Sequence, residues 1–261
     1  MLFAEQEPPR ELAGHVDCLW LFQVAPDAGP VEHWVPPDGG LTLSFSNRGG
    51  QLMLAGPFLQ PMKPPVQAGD EVWGVRLRPG AGSHLLAVDA QALRNRILPA
   101  AQLLPYPWVQ ALSLELAEAA GVEEVFAAYC RALETLLPQA RPVDGPVQSV
   151  VEALIESGGQ AEIGSLADRT GLSPRQLRRR FRAATGLSPK ELARIRRFRA
   201  SAVEAVLTQK PPWAEVAAGH GFADQAHLVR EYRRIIGLAP KDFKRQFTKI
   251  RHGLLHKDRE G

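Results

Sequence analysis

SPRQLRRRFRAATGLSPK, Ser173 to Lys190, and DQAHLVREYRRIIGLAPK, Asp224 to Lys241, are two copies of one pattern. Counted from the first residue of each, Leu177 matches Leu228, Arg179 matches Arg230 and Phe181 matches Tyr232. Gly186-Leu187 and Pro189-Lys190 match Gly237-Leu238 and Pro240-Lys241. Upstream, with one residue inserted in the second copy, Leu166-Ala167 and Gly171-Leu172 match Val216-Ala217 and Gly221-Phe222. So many matches in one register make an internal repeat, and each repeat should be one supersecondary unit.

The spacing within each copy predicts a helix between two stop signals. Ser173 is an N-cap residue with Pro174 at the first helical position, and Gly186 closes the helix. Asp224 and Gly237 do the same for the second copy. On a 3.6-residue wheel, Leu177, Phe181 and Ala184 form a stripe to bury, and Arg175, Arg178, Arg179 and Arg182 fall opposite. Four like charges on one exposed face repel one another. A phosphate-lined groove removes the conflict, and Arg can bond bidentately to guanine O6 and N7. The second helix buries Leu228, Tyr232 and Ile235 and turns out Gln225, Ala226, Val229, Arg230 and Arg233. Ala and Val suit thymine methyl groups and Gln suits adenine. The first helix should therefore read a G-containing element and the second a more A/T-like one. Ser173 and Asp224 cap the ends facing the duplex, where free N–H groups can hold phosphates, and Lys190, Arg196, Lys241 and Lys244 are assigned to phosphate clamping. For any one of these cations a solvated surface role is an equal alternative; for the set on one face it is not.

Charge supports the same partner. The net charge is only +3. Residues 1–144 hold 9 Lys+Arg against 16 Asp+Glu, whereas residues 145–261 hold 22 against 12. A basic half joined to an acidic half points to a polyanion partner for the basic half alone. The sign changes at PQARPVDGP, Pro138 to Pro146, whose composition is that of a linker.

Residues 1 to about 100 are β-rich: HVDCLWLFQV, GGLTLSFSN, GQLMLAGPF and EVWGVRLR are short apolar or alternating runs between Gly/Pro turns, as in a barrel or sandwich. Ala, Leu and Glu at helical spacing over 108–119 and 122–137 predict a helical hairpin, either a cap on the β domain or a dimerisation surface. Helices follow over Val147–Ser157, Ser165–Thr170, 174–185, 189–207, Trp213–Gly219, 224–236 and Pro240–Phe247. The expected architecture is α+β. A β-barrel or sandwich-like domain with its hairpin (1–141) is followed by a linker (142–146) and an all-α domain of two helix-turn-helix units joined by a long helix (147–252). A tail (253–261) ends the chain.

No apolar run is long enough to span a membrane and the N-terminus lacks signal-peptide character, so a cytoplasmic location is the default expectation. Cys18 and Cys130 lie far apart and read as core residues rather than a disulfide framework, a zinc site or a redox sensor. His15, His33 and His84 lack metal-site spacing, and Trp20, Trp34 and Trp73 read as core. Arg76 and Arg78 share a strand face and could meet an anionic effector, or Asp70 or Glu71. No phosphate loop, nucleophile elbow or paired carboxylate motif is present, so no catalytic set, cofactor or metal is expected.

At the repeat the sequence resembles the AraC family of bacterial transcription regulators. VAAGHGFADQAHLVREYRRIIGLAPKDF carries the family's order of Ala, Gly-aromatic, Asp-Gln-x-His-Leu, Arg-aromatic and Gly-x-x-Pro, and LADRTGLSPRQLRRRFRAATGLSPKEL agrees, as does the linking helix with Arg197-Phe198. The resemblance covers roughly Pro146 to Phe247. It implies two units in successive major-groove segments, with base contacts at Arg175, Arg178, Arg179, Gln225, Ala226, Val229 and Arg230. Ala226 and Val229 depart from the polar residues common there. PPDGGLTLSF, LAGPF and GVRLRPGAG resemble, less specifically, the family's β-rich sensor domain, which binds an effector, a partner subunit or both. The implied partners are double-stranded DNA, with RNA polymerase, a small-molecule effector and a second copy of the chain as further candidates. The rival expectations are a β-domain enzyme or DNA-repair protein with a DNA-binding tail, and a non-specific architectural DNA binder.

Overall fold

The structure, a computed structural model, describes residues 1–29, 33–248 and 250–254, the last four as backbone only. The expected tail therefore lies outside the described residues from 255 onward. The N-terminal region supplies strands β1 (Leu2–Gln6), β2 (Val16–Gln23), β3 (Leu41–Ser46), β4 (Met53–Ala55), β5 (Glu71–Leu77) and β6 (Ile97–Pro99), with helix α1 (Ala81–Leu85) after β5. The hairpin is α2 (Tyr106–Glu118) and α3 (Val122–Glu134). The C-terminal helices are α4 (Gly145–Glu156), α5 (Ile163–Thr170), α6 (Pro174–Thr185), α7 (Pro189–Leu207), α8 (Trp213–Gly219), α9 (Gln225–Ile236) and α10 (Pro240–Phe247), followed by strand β7 (Arg251–Leu254).

The strands form one sheet in the order β6-β4-β3-β5-β2-β1-β7. Where the sequence left barrel or sandwich open, the strand pairings of the described residues run from β6 to β7 within one sheet. All pairings are antiparallel except β1 with β7, where Leu2 lies opposite Arg251 and Glu5 opposite Leu254. Alternation decides the buried face: Leu41, Leu43 and Phe45 of β3 point inward, with Thr42 and Ser44 between them half-buried. That face packs with Phe126, Tyr129 and Leu133 of α3 and with Leu112 and Leu116 of α2, so the hairpin covers the sheet. Tyr129 is fully buried, and its hydroxyl donates to Trp73 O at 3.2 Å.

The helical half has two cores that share one helix. Leu192, Ala193 and Ile195 of α7 pack with Val150, Leu154, Leu177 and Phe181; Phe198 and Ala202 of the same helix pack with Leu228, Tyr232, Ile235 and Phe243. Phe198 meets Tyr232 edge-on at 4.8 Å and Phe243 at 5.6 Å. The two units are also joined directly. Gln160 Nε2 donates to Gly219 O at 3.1 Å and Arg197 donates to Gly221 O at 3.2 Å.

The linker stretch is pinned. Asp144 Oδ1 accepts from Val147 N and caps α4, and its carboxylate takes a bidentate pair from Arg180, both contacts at 2.6 Å. His84 Nδ1 donates to Pro142 O at 2.6 Å. Further contacts cross from the β domain to the first unit. The Ser83 hydroxyl lies 2.6 Å from Ala184 O and 2.7 Å from Gly80 O, and Arg94 pairs with Glu191 at 2.7 Å. Met1, Phe3 and Trp34 pack against the core of the second unit.

Candidate nucleic-acid interface

The two units use the same construction with different residues. At α6, Ser173 Oγ accepts from Gln176 N at 3.3 Å and Gln176 Oε1 accepts from Ser173 N at 3.0 Å. This reciprocal arrangement satisfies two orphan N-terminal donors. At α9, Asp224 Oδ1 accepts from His227 N at 2.6 Å, and His227 Nδ1 accepts from Ala223 N at 3.1 Å. Gln176 and His227 occupy matching positions, so the two units solve one capping problem twice. The caps are legible in the sequence, whereas the equivalent roles of Gln176 and His227 emerge only from the structure.

Both helices end on a glycine in the left-handed region, Gly186 at φ 74° and Gly237 at φ 76°. Leu177, Phe181 and Ala184 are buried in the first unit, as are Leu228, Tyr232 and Ile235 in the second. The opposite faces are open. Arg175, Arg178, Arg179 and Arg182 are all exposed and line one groove of about 570 Å³ together with Gln176 and Gln91. Gln225, Ala226, Arg230 and Arg233 are exposed on α9, while Val229 is half-buried. Lys190 and Lys241, at the starts of α7 and α10, are exposed. A helix whose solvent face carries four arginines, none of them ion-paired among the described residues, presents a strong field to an approaching polyanion.

Residues 166–246 match a family model described as a helix-turn-helix domain, and residues 4–99 match one described as a domain of unknown function (DUF6597). The C-terminal half carries an AraC-type helix-turn-helix domain. No curated protein matches the sequence. Among solved structures, the chain is similar to ToxT from Vibrio cholerae at 1.65 Å resolution, with a TM-score of 0.45 and 12% identity over 94% of this chain and 97% of that one. It is similar in the same way to ToxT bound to (E)-4-(8-methylnaphthalen-1-yl)but-3-enoic acid, with a TM-score of 0.45 and 12% identity over 95% and 98% of the two chains. A third, unsaturated fatty acid-bound wild-type ToxT, gives a TM-score of 0.44 and 12% identity over 96% of each.

Two cations expected to clamp phosphates stand elsewhere in the AraC-type domain. Lys244 Nζ donates to Ala205 O at 2.9 Å and to Thr208 O, at the carbonyl end of α7. There it offsets the negative pole of that helix, a structural role that uses its hydrogen bonds. Arg196 is turned toward the β domain, near Asp17 and Asp38; burial and neighbouring Arg199 pull its guanidinium down to about 10. It belongs to an ionic cluster between the domains rather than to the outer face. The centre of that cluster is Arg76, 11% exposed, which meets Glu5 at 2.6 Å and Asp17 at 2.8 Å. Arg76 therefore has internal partners, and these are Glu5 and Asp17 rather than Asp70 or Glu71. Asp70 pairs instead with Arg48 at 2.6 Å.

The remaining reactive groups are quiet. Burial pushes the Cys18 thiol well up and the Cys130 thiol up to about 11, so neither is a ready thiolate at neutral pH. His33, stacked on Phe22 at 4.1 Å, is lowered by burial to about 4. Among the described residues, no group of three or more His, Cys, Asp or Glu side chains could hold a metal ion. No described helix is long and apolar enough to cross a membrane.

Proposed function

We propose that this chain is a sequence-specific DNA-binding transcription regulator whose two reading helices, 174–185 and 224–236, occupy successive major-groove segments of one duplex. The observation that carries the reading is the pair of matched helices. Each is capped toward solvent, buried along one stripe and open along the other, and both are held by the single helix α7. Arg175, Arg178, Arg179 and Arg182 are the base-facing set of the first unit; Gln225, Ala226, Val229, Arg230 and Arg233 are that of the second. Lys190 and Lys241 approach the phosphates, with the helix ends at Ser173 and Asp224. The β domain, which touches both units, modulates their presentation through an effector or a partner, and the mechanism is linkage: a ligand shifts the equilibrium only by its differential affinity for two arrangements.

Selection of binding sites from random duplexes tests the reading. We expect a bipartite motif, with guanine under the first helix. Arg179→Ala should erase the preference in one half and Arg230→Ala in the other, at about 1–3 kcal/mol each. Equal weakening of both variants on every sequence would mean phosphate contact alone and a non-specific architectural binder.

A further inference from the structure

The groove beside the first reading helix is not built from that helix alone. Five of its lining residues belong to α6 or its first turn, and the sixth, Gln91, comes from the β domain. Gln91 lies more than eighty positions earlier in the chain, on a turn that the expected architecture assigned no role.

That turn is held tightly. Asp89 Oδ1 accepts from Gln91 N at 2.8 Å and from Ala92 N at 3.2 Å. Ala90 and Leu93 are buried on either side of Gln91, and Asn95, at φ 55°, accepts from Leu59 N through its Oδ1 at 2.9 Å. The turn is also fixed against the helix. A Cβ on Gly186, the residue that ends α6, would stand 2.4 Å from Ala90 O. Arg94, at the far side of the turn, pairs with Glu191 in the first turn of α7. Gln91 itself is exposed, and its side-chain amide has no hydrogen-bond partner among the described residues.

We infer that Gln91 is part of the DNA-contacting surface, a residue that the β domain lends to the first reading helix. Its position is set by contacts on both sides, and its amide offers a donor and an acceptor at the edge of a strongly cationic groove. Those are the groups that pair with an adenine edge or accept a place beside a phosphate. The sensor-like domain thereby extends the footprint of the first unit, and any shift of that domain against α6 changes the contact directly. The inference rests on the proposed reading role of α6.

The test uses the full chain and the duplex selected by the wild-type protein, with affinity read by fluorescence anisotropy across a salt series. Gln91→Ala should bind several-fold more weakly and Gln91→Glu about tenfold or more, because a carboxylate there meets phosphates. Gln91→Lys should bind more tightly at low salt with a salt slope steeper by about one ion, a gain that misfolding cannot imitate. Gln110→Lys, an exposed position on α2, should stay within about twofold of wild type. If all three Gln91 variants bind as wild type, or Gln91→Ala tightens binding because the turn obstructs the duplex, the inference falls. Arg179→Ala separates the two failures. Loss of binding there with indifferent Gln91 variants overturns Gln91 alone, whereas an indifferent Arg179→Ala removes the reading of α6 and this inference with it.

Discussion

Asp144 shows how much one carboxylate at a domain junction can organise. It caps α4 through Val147 N and holds Arg180 of the reading helix through two contacts. The Arg180 hydrogen bonds, more than the Val147 N–H, keep its carboxyl below the usual Asp range. Because the folded-state value is depressed, the stability it adds is present above the ordinary Asp pKa of about 3.9 and is lost as pH falls through the lower folded value. Asp144→Ala should cost about 1 kcal/mol at neutral pH through the lost cap. Asp144→Asn, which still caps, should cost less, and it should lack this acid-side titration. Urea unfolding of the three proteins at pH 7 and pH 3 measures both effects; equal acid sensitivity in wild type and Asp144→Asn would show that the ion pair contributes nothing.

At the scale of elements, the two glycines on either side of the first reading helix can be set against each other. Gly171, which ends α5 at φ 66°, has open space where a Cβ would be, whereas Gly186, which ends α6 at φ 74°, has Ala90 O at 2.4 Å and Pro57 Cγ at 2.8 Å. Gly171→Ala should therefore cost only the left-handed backbone strain, about 1–2 kcal/mol. Gly186→Ala should cost clearly more and also loosen the β domain from the reading helix. Thermal melts of the two variants read the first difference, and hydrogen exchange at residues 89–94 reads the second. The helices were legible in the sequence because their ends are chemical: Ser173-Pro174, Ser188-Pro189, Asp224 and the terminal glycines fix α6, α7 and α9 locally. Strand β1 was not, because LFAEQ lacks a turn-bounded alternation and becomes a strand only by pairing with β2 and β7. Helix α1, AGSHL, was hidden for the opposite reason, since the Gly-rich PGAG that overlaps its first two residues reads as a turn. The outward faces of α6 and α9 follow from periodicity alone. The inward placement of Arg196 and Lys244 depends on Asp17, Asp38 and the carbonyl end of α7, which no local pattern reveals.

In the whole molecule, the acidic and basic halves meet over contacts too specific to leave the domains independent. Arg76 joins Glu5 and Asp17 inside the β domain, and Arg196 and Arg199 of α7 bring further positive charge to the same acidic residues and Asp38. The Ser83 hydroxyl reaches the last-turn carbonyl of Ala184 in α6, and Arg94 reaches Glu191. Apolar residues at the start of the chain, Met1 and Phe3, pack on the core of the second unit, so the β domain grips both units at once. Strong coupling of this kind predicts a single unfolding transition, because neither half can open without exposing the other's contacts. Ser83 is 4% exposed, so Ser83→Ala removes a buried hydrogen bond to Ala184 O and should cost about 1 kcal/mol or somewhat more. Arg94→Ala releases the second tie without touching either core. Differential scanning calorimetry should show one transition for wild type. In the double variant it should show a broadened or split one, with the helical half melting apart from the sheet. A wild-type profile already in two steps would mean that the contacts between the halves do not couple them, and a double variant that melts as sharply as wild type would place the coupling in the Met1–Phe3 packing and the Arg76 cluster instead.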